Sequence, residues 1–295
     1  MSRNYFLLLL VIIGLASCAR PIADFTIQGG DRTAPTAIQF ENNSKNAETY
    51  EWDFGDGRTS TDSTPSHRFG SSGNYLVVLK ATKGNKTRKK EKRVKIDAPE
   101  KCLVEIETDY GIMIAELSDE TPLHRDNFSK LAEEGFYNGL IFHRVIQSFM
   151  VQGGDPKSKN APPGTPLGGG GPGYQIDAGI TPSLTHVKGA LAAARMPDHI
   201  NPEKKSSGSQ FYVVHGKTIS EGELDKMEGR NDIRYTPEQR KAYLENGGYP
   251  SLDQNYTVFG QIISGLEVID KIAEVKRDNR NRPEVDIKMK VRLIK

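Results

Sequence analysis

Cysteine is nearly missing from this chain. Two occur in 295 residues, Cys18 and Cys102, and they form no C-x-x-C pair of the kind that holds a metal. The six histidines, at 67, 124, 143, 186, 199 and 215, show no H-x-x-x-H or similar ligand spacing. The sequence therefore predicts no metal site and no cofactor. A surplus of one charge is missing as well: the formal balance is +2, so the whole-chain charge does not argue for nucleic acid and no such partner is expected. The N-terminal apolar run, Tyr5 to Gly14, falls short of the roughly 20 residues that a bilayer-spanning helix needs. What is present is 29 glycines, a share common in turn-rich β proteins, and enough length for about two domains with a sizeable core.

Arg3, the apolar run and the sequence Leu15-Ala16-Ser17-Cys18 read together as an export signal over residues 1–17. The L-A-S-C ending resembles the bacterial lipobox. That resemblance implies cleavage before Cys18 and lipidation of its sulfur, with palmitate among the acyl chains; several chains on one residue anchor a protein durably where one does not. Cys102 would then be the lone thiol, with no intrachain disulfide. Ala19 stands where aspartate would resemble an inner-membrane retention signal, so the expected place is the outer membrane of the bacterial envelope, facing the periplasm.

Residues 22–97 read as a small all-β domain. Strand-like pieces run Asp24–Gln28, Ala37–Asn42, Thr49–Phe54, Asn74–Thr82 and Arg88–Ile96, separated by turn residues. Alternation puts Tyr75, Val77, Leu79 and Ala81 on one face, and Trp52 is expected in the core. Trp52-Asp-Phe-Gly-Asp-Gly57, with His67-Arg-Phe69 and Gly73-Asn-Tyr75 after it, resembles the PKD domain, an immunoglobulin-like sandwich. Such a module could bind an envelope protein or a glycan. Asp53 and Asp56 are two carboxylates where a hard cation wants six or more oxygens, so they read as turn caps rather than calcium ligands. The stretch from Lys83 to Lys95 carries eight basic residues against Glu91 alone. It reads as a solvated last hairpin whose lysines discourage edge pairing; the competing reading is contact with anionic headgroups or wall polymers. Residues 98–100 form a short linker containing Pro99.

The second region, 101–295, is organised around Phe142-His-Arg-Val-Ile-Gln-Ser-Phe-Met-Val-Gln-Gly-Gly-Asp155. It reads as strands Phe142–Ile146 and Phe149–Gln152, ended by paired glycines. Arg144 among such apolar neighbours is either an edge residue facing water or a buried cation needing acceptors. The motif is similar to the central motif of cyclophilins, the peptidyl-prolyl cis-trans isomerases. Gly189-Ala-Leu-Ala-Ala-Ala-Arg195-Met and Ser206-Ser-Gly-Ser-Gln210-Phe-Tyr-Val-Val214 resemble the family's next two strands, and Leu252-Asp-Gln-Asn-Tyr256-Thr-Val-Phe-Gly260 restores the pattern further on. Departures are Arg195 for asparagine, Tyr212 for phenylalanine, Ser251 for tryptophan (which predicts weak cyclosporin binding) and Tyr256 for histidine.

Around these motifs the sequence predicts a hairpin, Cys102–Glu107 and Gly111–Leu117, and a helix opened by Thr121-Pro122. A second helix is expected to be capped at Ser264, with a last strand over Val285–Ile294. Residues 216–250 form an insertion with helix starts at Ser220…Glu223 and Thr236…Gln239 and stops at Gly229 and Gly247. It reads as surface elaboration, with screening of the pocket or contact with a partner as the other readings. Leu167-Gly-Gly-Gly-Gly-Pro-Gly173 lacks the lysine and helix of a phosphate cradle. The expected architecture is mainly β: an immunoglobulin-like PKD sandwich, then a closed eight-stranded cyclophilin-type barrel with two capping helices and the helical insertion.

The resemblance implies isomerisation of X–Pro bonds in proline-containing polypeptides, without cofactor or covalent step. Arg144 would supply the catalytic hydrogen bond. Phe149, Met150, Tyr212 and Leu252 would cup the proline ring; Gln152, Gln210 and the backbone near Ala194 and Arg195 would hold the peptide; Tyr256 would close the rim. Two other classes remain in view, a peptide-binding chaperone with incidental turnover and an envelope scaffold lipoprotein.

Overall fold

The computed structural model describes residues 20–231 and 233–295; the expected export signal and Cys18 lie outside them. Two compact units divide between Ala98 and Pro99.

Among its described residues the first unit holds seven strands: β1 (Phe25–Ile27), β2 (Thr36–Asn42), β3 (Thr49–Asp53), β4 (Thr59–Ser60), β5 (Ser66–Phe69), β6 (Gly73–Lys83) and β7 (Lys86–Ile96). They form one sheet in the order β1-β2-β5 and another in the order β4-β3-β6-β7. Along β6 the alternation predicted from sequence buries Val77, Leu79 and Ala81, because successive side chains point to opposite faces. Aromatic rings join the two sheets: Trp52 on β3 lies 5.1 Å from Phe25 on β1 and 5.7 Å from Phe40 on β2, centroid to centroid. Asp53 Oδ1 accepts the N–H of Gly55 at 2.9 Å, and Asp56 Oδ1 that of Arg58 at 3.1 Å, the turn capping expected of them. The basic stretch forms β7, at the edge of its sheet.

In the second unit come β8 (Leu103–Thr108), β9 (Gly111–Leu117), α1 (Pro122–Glu133), β10 (Arg144–Ile146), β11 (Met150–Gly153), β12 (Gln175–Ile176), β13 (Ala190–Ala193), β14 (Ser206–Ser207) and β15 (Phe211–Val214). After these follow α2 (Glu221–Asn231), α3 (Pro237–Asn246), β16 (Val258–Ser264), α4 (Leu266–Ala273) and β17 (Met289–Ile294). Eight strands make one antiparallel sheet, β10-β11-β15-β13-β16-β9-β8-β17.

The sheet is curled but open, which corrects the expectation of a closed barrel. Its outer strands β10 and β17 are not paired with each other. The segment ahead of β10 meets the segment around the start of β17 instead, through one bridge, Ile141 to Lys288. Phe142 N–H also donates to Ile287 O at 3.0 Å and Met289 N–H to Leu140 O at 2.8 Å. The facing stretches lie at or before the first residues of their strands, so a few bonds tie the edges where a full ladder would close them.

The sheet and its two flanking helices share one apolar core. Phe128, Leu131 and Ala132 of α1 and Val268, Ile269 and Ile272 of α4 pack with Val145, Val151, Leu191, Phe211, Val213 and Phe259 from the strands. Three capping expectations fail. The hydroxyl of Thr121 is buried without a partner. Gly265, not Ser264, precedes α4, at φ +84°, where an added Cβ would lie 2.2 Å from Ile112 O; only glycine fits there without strain. Gly229 lies inside α2, held in the helix by its neighbours despite its weak propensity. Thr236 and Gln239 do form the predicted reciprocal cap of α3, and Ser220 with Glu223 does so ahead of α2.

Candidate active site

Period-two alternation builds the site on the outer face of the curled sheet. The core takes Val145, Val151, Phe211, Val213 and Leu191 on one face. The residues between them, Met150, Tyr212, Val214, Ala190 and Ala192, cluster on the other with Val258. Register aligns the polar positions: Arg144 opposes Gln152, and Gln152 opposes Tyr212.

Loops then add Phe149, Leu252, Tyr256, Leu184 and Tyr249 to this outer cluster. Phe149 follows a turn in which Ser148 adopts φ +62°. The turn is fixed by Ser148 N–H donating to His215 Nδ1 at 2.9 Å, and by His215 and Gly216 N–H both donating to Phe149 O at 3.0 Å. Burial, more than any neighbour, lowers the His215 pKa, which favours the neutral ring that can accept the Ser148 bond.

A row of amides leads from the glycine loop to the arginine. Asp155 is fully buried, and its carboxylate accepts N–H groups from Gly168 at 2.6 Å, Gly170 at 3.2 Å and Lys157 at 2.8 Å. A Cβ on Gly170 would sit 2.0 Å from Asp155 Oδ1, so the loop can wrap this carboxylate only as glycine. The loop carbonyls of Gly168 and Gly170 accept from Gln210 Nε2 at 2.9 and 2.6 Å. Gln210 Oε1 is thereby aimed at Gln152 Nε2, 3.1 Å away, and Gln152 Oε1 accepts from Arg144 Nη1 at 3.3 Å. The paired glycines let the strand end close by, since a Cβ on Gly154 would lie 2.2 Å from Ser209 O.

Arg144 is half-buried, with its guanidinium carbon 6.0 Å from the Phe149 ring centroid. It combines the two options left by the sequence, lying on the outermost strand β10 and supplied with an acceptor by Gln152. The structure brings Phe149, Met150, Tyr212, Leu252, Tyr256 and Ala194 into one apolar group. Burial is the first cause that raises the Tyr212 pKa well above its usual value, so its hydroxyl stays protonated. Ala194 adds its methyl to this group. Its N–H already donates to Gln210 O at 3.0 Å and its carbonyl accepts from Ser207 at 2.8 Å.

Arg195 acts from beneath. Its side chain, 4% exposed, donates from Nε to Asn255 O at 2.7 Å and lies 4.6 Å from the Tyr256 ring centroid, which props the rim. A cavity of about 350 Å³ adjoins the cup, lined by Gln152, Gln210, Ala194, Arg195 and the glycine loop. Among the described residues no three His, Cys, Asp or Glu side chains converge as metal ligands would.

Several residues of the site were not legible from sequence. Tyr249, at the end of the insertion, packs on Phe149 at 4.5 Å. His186 and Asp253 are buried behind Tyr212. The sequence carried no signal for either, since Asp253 stands next to Gln254 and Asn255 in a motif of mixed polarity.

The chain thus presents an apolar cup flanked by an oriented guanidinium and a row of amides, and its sequence places it in the peptidyl-prolyl cis-trans isomerase class of enzyme. The chain belongs to the cyclophilin-type family of these enzymes. The family model described as cyclophilin type peptidyl-prolyl cis-trans isomerase/CLD matches residues 103–292, and the PKD domain model matches residues 18–98. A Staphylococcus saprophyticus protein named for peptidyl-prolyl cis-trans isomerase activity is 37% identical over 174 residues, 58% of this chain and 80% of its own length. A Streptococcus pyogenes protein named a bifunctional phosphatase/peptidyl-prolyl cis-trans isomerase is 36% identical over 190 residues. There the match takes in 62% of this chain but only 37% of the streptococcal one. The solved cyclophilin-type isomerase of Cryptosporidium parvum aligns with a TM-score of 0.48 and 24% identity, covering 66% of this chain and 98% of that one.

Proposed function

We propose that Arg144 catalyses cis-trans isomerisation of X–Pro bonds in exported polypeptides, within the bacterial cell envelope and from a lipid anchor on Cys18. An amide resists rotation because nitrogen shares its lone pair with the carbonyl, a barrier of ~18–20 kcal/mol, and uncatalysed exchange takes tens of seconds. Twisting returns the lone pair to nitrogen and reduces the charge on oxygen. A forked, permanently charged guanidinium can hold the prolyl carbonyl while meeting the newly basic nitrogen. The apolar cup suits the less polar twisted amide. Rate then comes from binding the twisted form more tightly than either planar one, and every 1.36 kcal/mol of that difference is worth about tenfold.

The observation that carries this reading is the Arg144 guanidinium bonded to Gln152 beside the Phe149 ring. Oriented donors at such sites contribute about 100-fold or more, so Arg144→Ala in the full chain should lower kcat/KM by that factor, measured by NMR exchange on a proline peptide, with cooperative melting retained. Full activity in a folded Arg144→Ala protein would reject Arg144 as the catalytic group. For the anchor, labelled palmitate should enter the wild type and not Cys18→Ala, which should leave the membrane fraction. Equal labelling of both would reject Cys18 as the attachment site.

A further inference from the structure

We propose that the 216–250 insertion positions the proline cup through a buried relay, from Tyr235 and Tyr243 through Asp253 and His186 to the Tyr212 hydroxyl, and that this relay keeps the hydroxyl proton away from the substrate. The inference rests on the reading of Tyr212 as part of the cup.

The relay is nearly sealed from water: His186 and Tyr243 are 0% exposed, Asp253 1% and Tyr235 9%. Asp253 collects four donors. Its Oδ1 takes the backbone N–H of His186 at 2.8 Å and His186 Nδ1 at 2.7 Å; its Oδ2 takes the hydroxyls of Tyr235 at 2.7 Å and Tyr243 at 2.6 Å. A carboxylate only accepts, so the proton on this imidazole sits at Nδ1. A neutral ring protonated there offers just a lone pair at Nε2. In the proposed arrangement the ring is neutral, and the Tyr212 hydroxyl, 3.0 Å from Nε2, donates into histidine and points its proton away from the cup.

The insertion supplies two of those four donors and seats the rest. Tyr243 lies on α3, and Tyr235 immediately precedes the Thr236 cap of that helix. The chain then returns through Gly247 and Gly248 to Tyr249, whose N–H donates to His186 O at 2.8 Å. A Cβ on Gly248 would lie 2.5 Å from the same His186 oxygen, so this glycine lets the insertion press directly on the relay.

The chemistry gives the proton's direction a consequence. The planar amide carries more charge on oxygen than the twisted one. A loose hydroxyl in the cup would bond the ground state better than the transition state and slow the reaction. A hydroxyl held by histidine leaves the cup as an apolar ring face. The fourfold-bonded carboxylate also fixes Leu252, its neighbour in the chain, against the same cup, and a fully satisfied network of this kind is rigid.

The test measures kcat and KM by NMR exchange on the full chain, for Tyr235→Phe/Tyr243→Phe together and for Asp253→Asn. Each is made in the wild type and in a Tyr212→Phe background. In the wild type both changes should lower kcat/KM about five- to tenfold, mainly through kcat; in the Tyr212→Phe background the loss should shrink to less than about twofold. Equal losses in both backgrounds would mean that the insertion merely stabilises the fold, and undiminished activity in folded variants would mean that the relay does nothing. Either result overturns the proposal. Should Asp253→Asn not melt cooperatively, the tyrosine pair, which removes only two oxygens, decides alone. Tyr212→Ala separates the two levels of inference: if it leaves kcat/KM unchanged, Tyr212 is not in the cup and the underlying reading fails as well.

Discussion

The two faces of the curled sheet differ by a single peptide step. Val145, Val151, Phe211, Val213 and Leu191 turn inward into the apolar core, where the ring of Tyr137 packs on Phe211. Arg144, Gln152, Tyr212 and Ala192, each adjacent to one of these in sequence, belong to the other face, where amides, a guanidinium and phenols mix with hydrocarbon. The inner face has one requirement, dense packing. The outer face has two, because it must stay firm and, on the proposed reading, still offer hydrogen bonds to a visiting chain. It meets them by giving each polar group a fixed partner from behind: Gln152 for Arg144, Gln210 for Gln152, the glycine loop for Gln210. A register slip of one residue would exchange the faces and destroy both.

The contrast can be tested most severely on the inner face. Phe211→Ala, beside Tyr212, should cost about 3–5 kcal/mol in denaturant unfolding, and what remains folded should keep its turnover per active site. A loss of turnover in excess of the loss of folded protein would show that the faces are not separable.

Acid should act on a similar scale. Burial pushes His124 and His143 down to about 4 from 6.5; for His143, Arg144 and Arg282 add to burial while Asp155 opposes it. Below pH 6.5 the unfolded chain binds protons that the folded chain refuses, so stability present above that pH is lost as pH falls toward about 4. Each histidine contributes on the order of 2–3 kcal/mol of that loss. Unfolding midpoints between those pH values should flatten in a His124→Gln/His143→Gln protein, and an unchanged slope would remove both histidines from the account.

The smallest expected effect lies on the outer face. Asp155→Asn puts an amide donor against loop N–H groups, a mismatch worth about 1–3 kcal/mol. Because the loop holds Gln210, the change should raise KM more than it lowers kcat. Steady-state analysis that finds only kcat altered would disconnect the loop from peptide binding.

Local pattern made much of this visible beforehand. The strand–turn–strand around Arg144, the alternation in β6 and the reciprocal caps ahead of α2 and α3 depend on neighbours a few residues apart, and they were readable for that reason. Elsewhere the chain's distant parts decide. Gly265 rather than Ser264 begins α4 because the backbone of Ile112 is too close for any side chain. The barrel stays open because of where two far-apart strands begin. The relay joins residues 67, 26, 18 and 10 positions apart, with no repeating interval to betray it. Reading the insertion as surface elaboration fails on the same ground, since Tyr235, Tyr243 and Tyr249 have their partners outside it.

The glycine loop, with Asp155 in its grasp, carries its own counter-ion on the same polymer. A ring of amides that waited for a dissolved anion would fill and empty with the composition of its surroundings. This one is held by a group that cannot diffuse away, at an effective concentration set by the chain itself. The wall of the cavity beside the apolar cup therefore keeps its shape in phosphate-rich and phosphate-starved media alike.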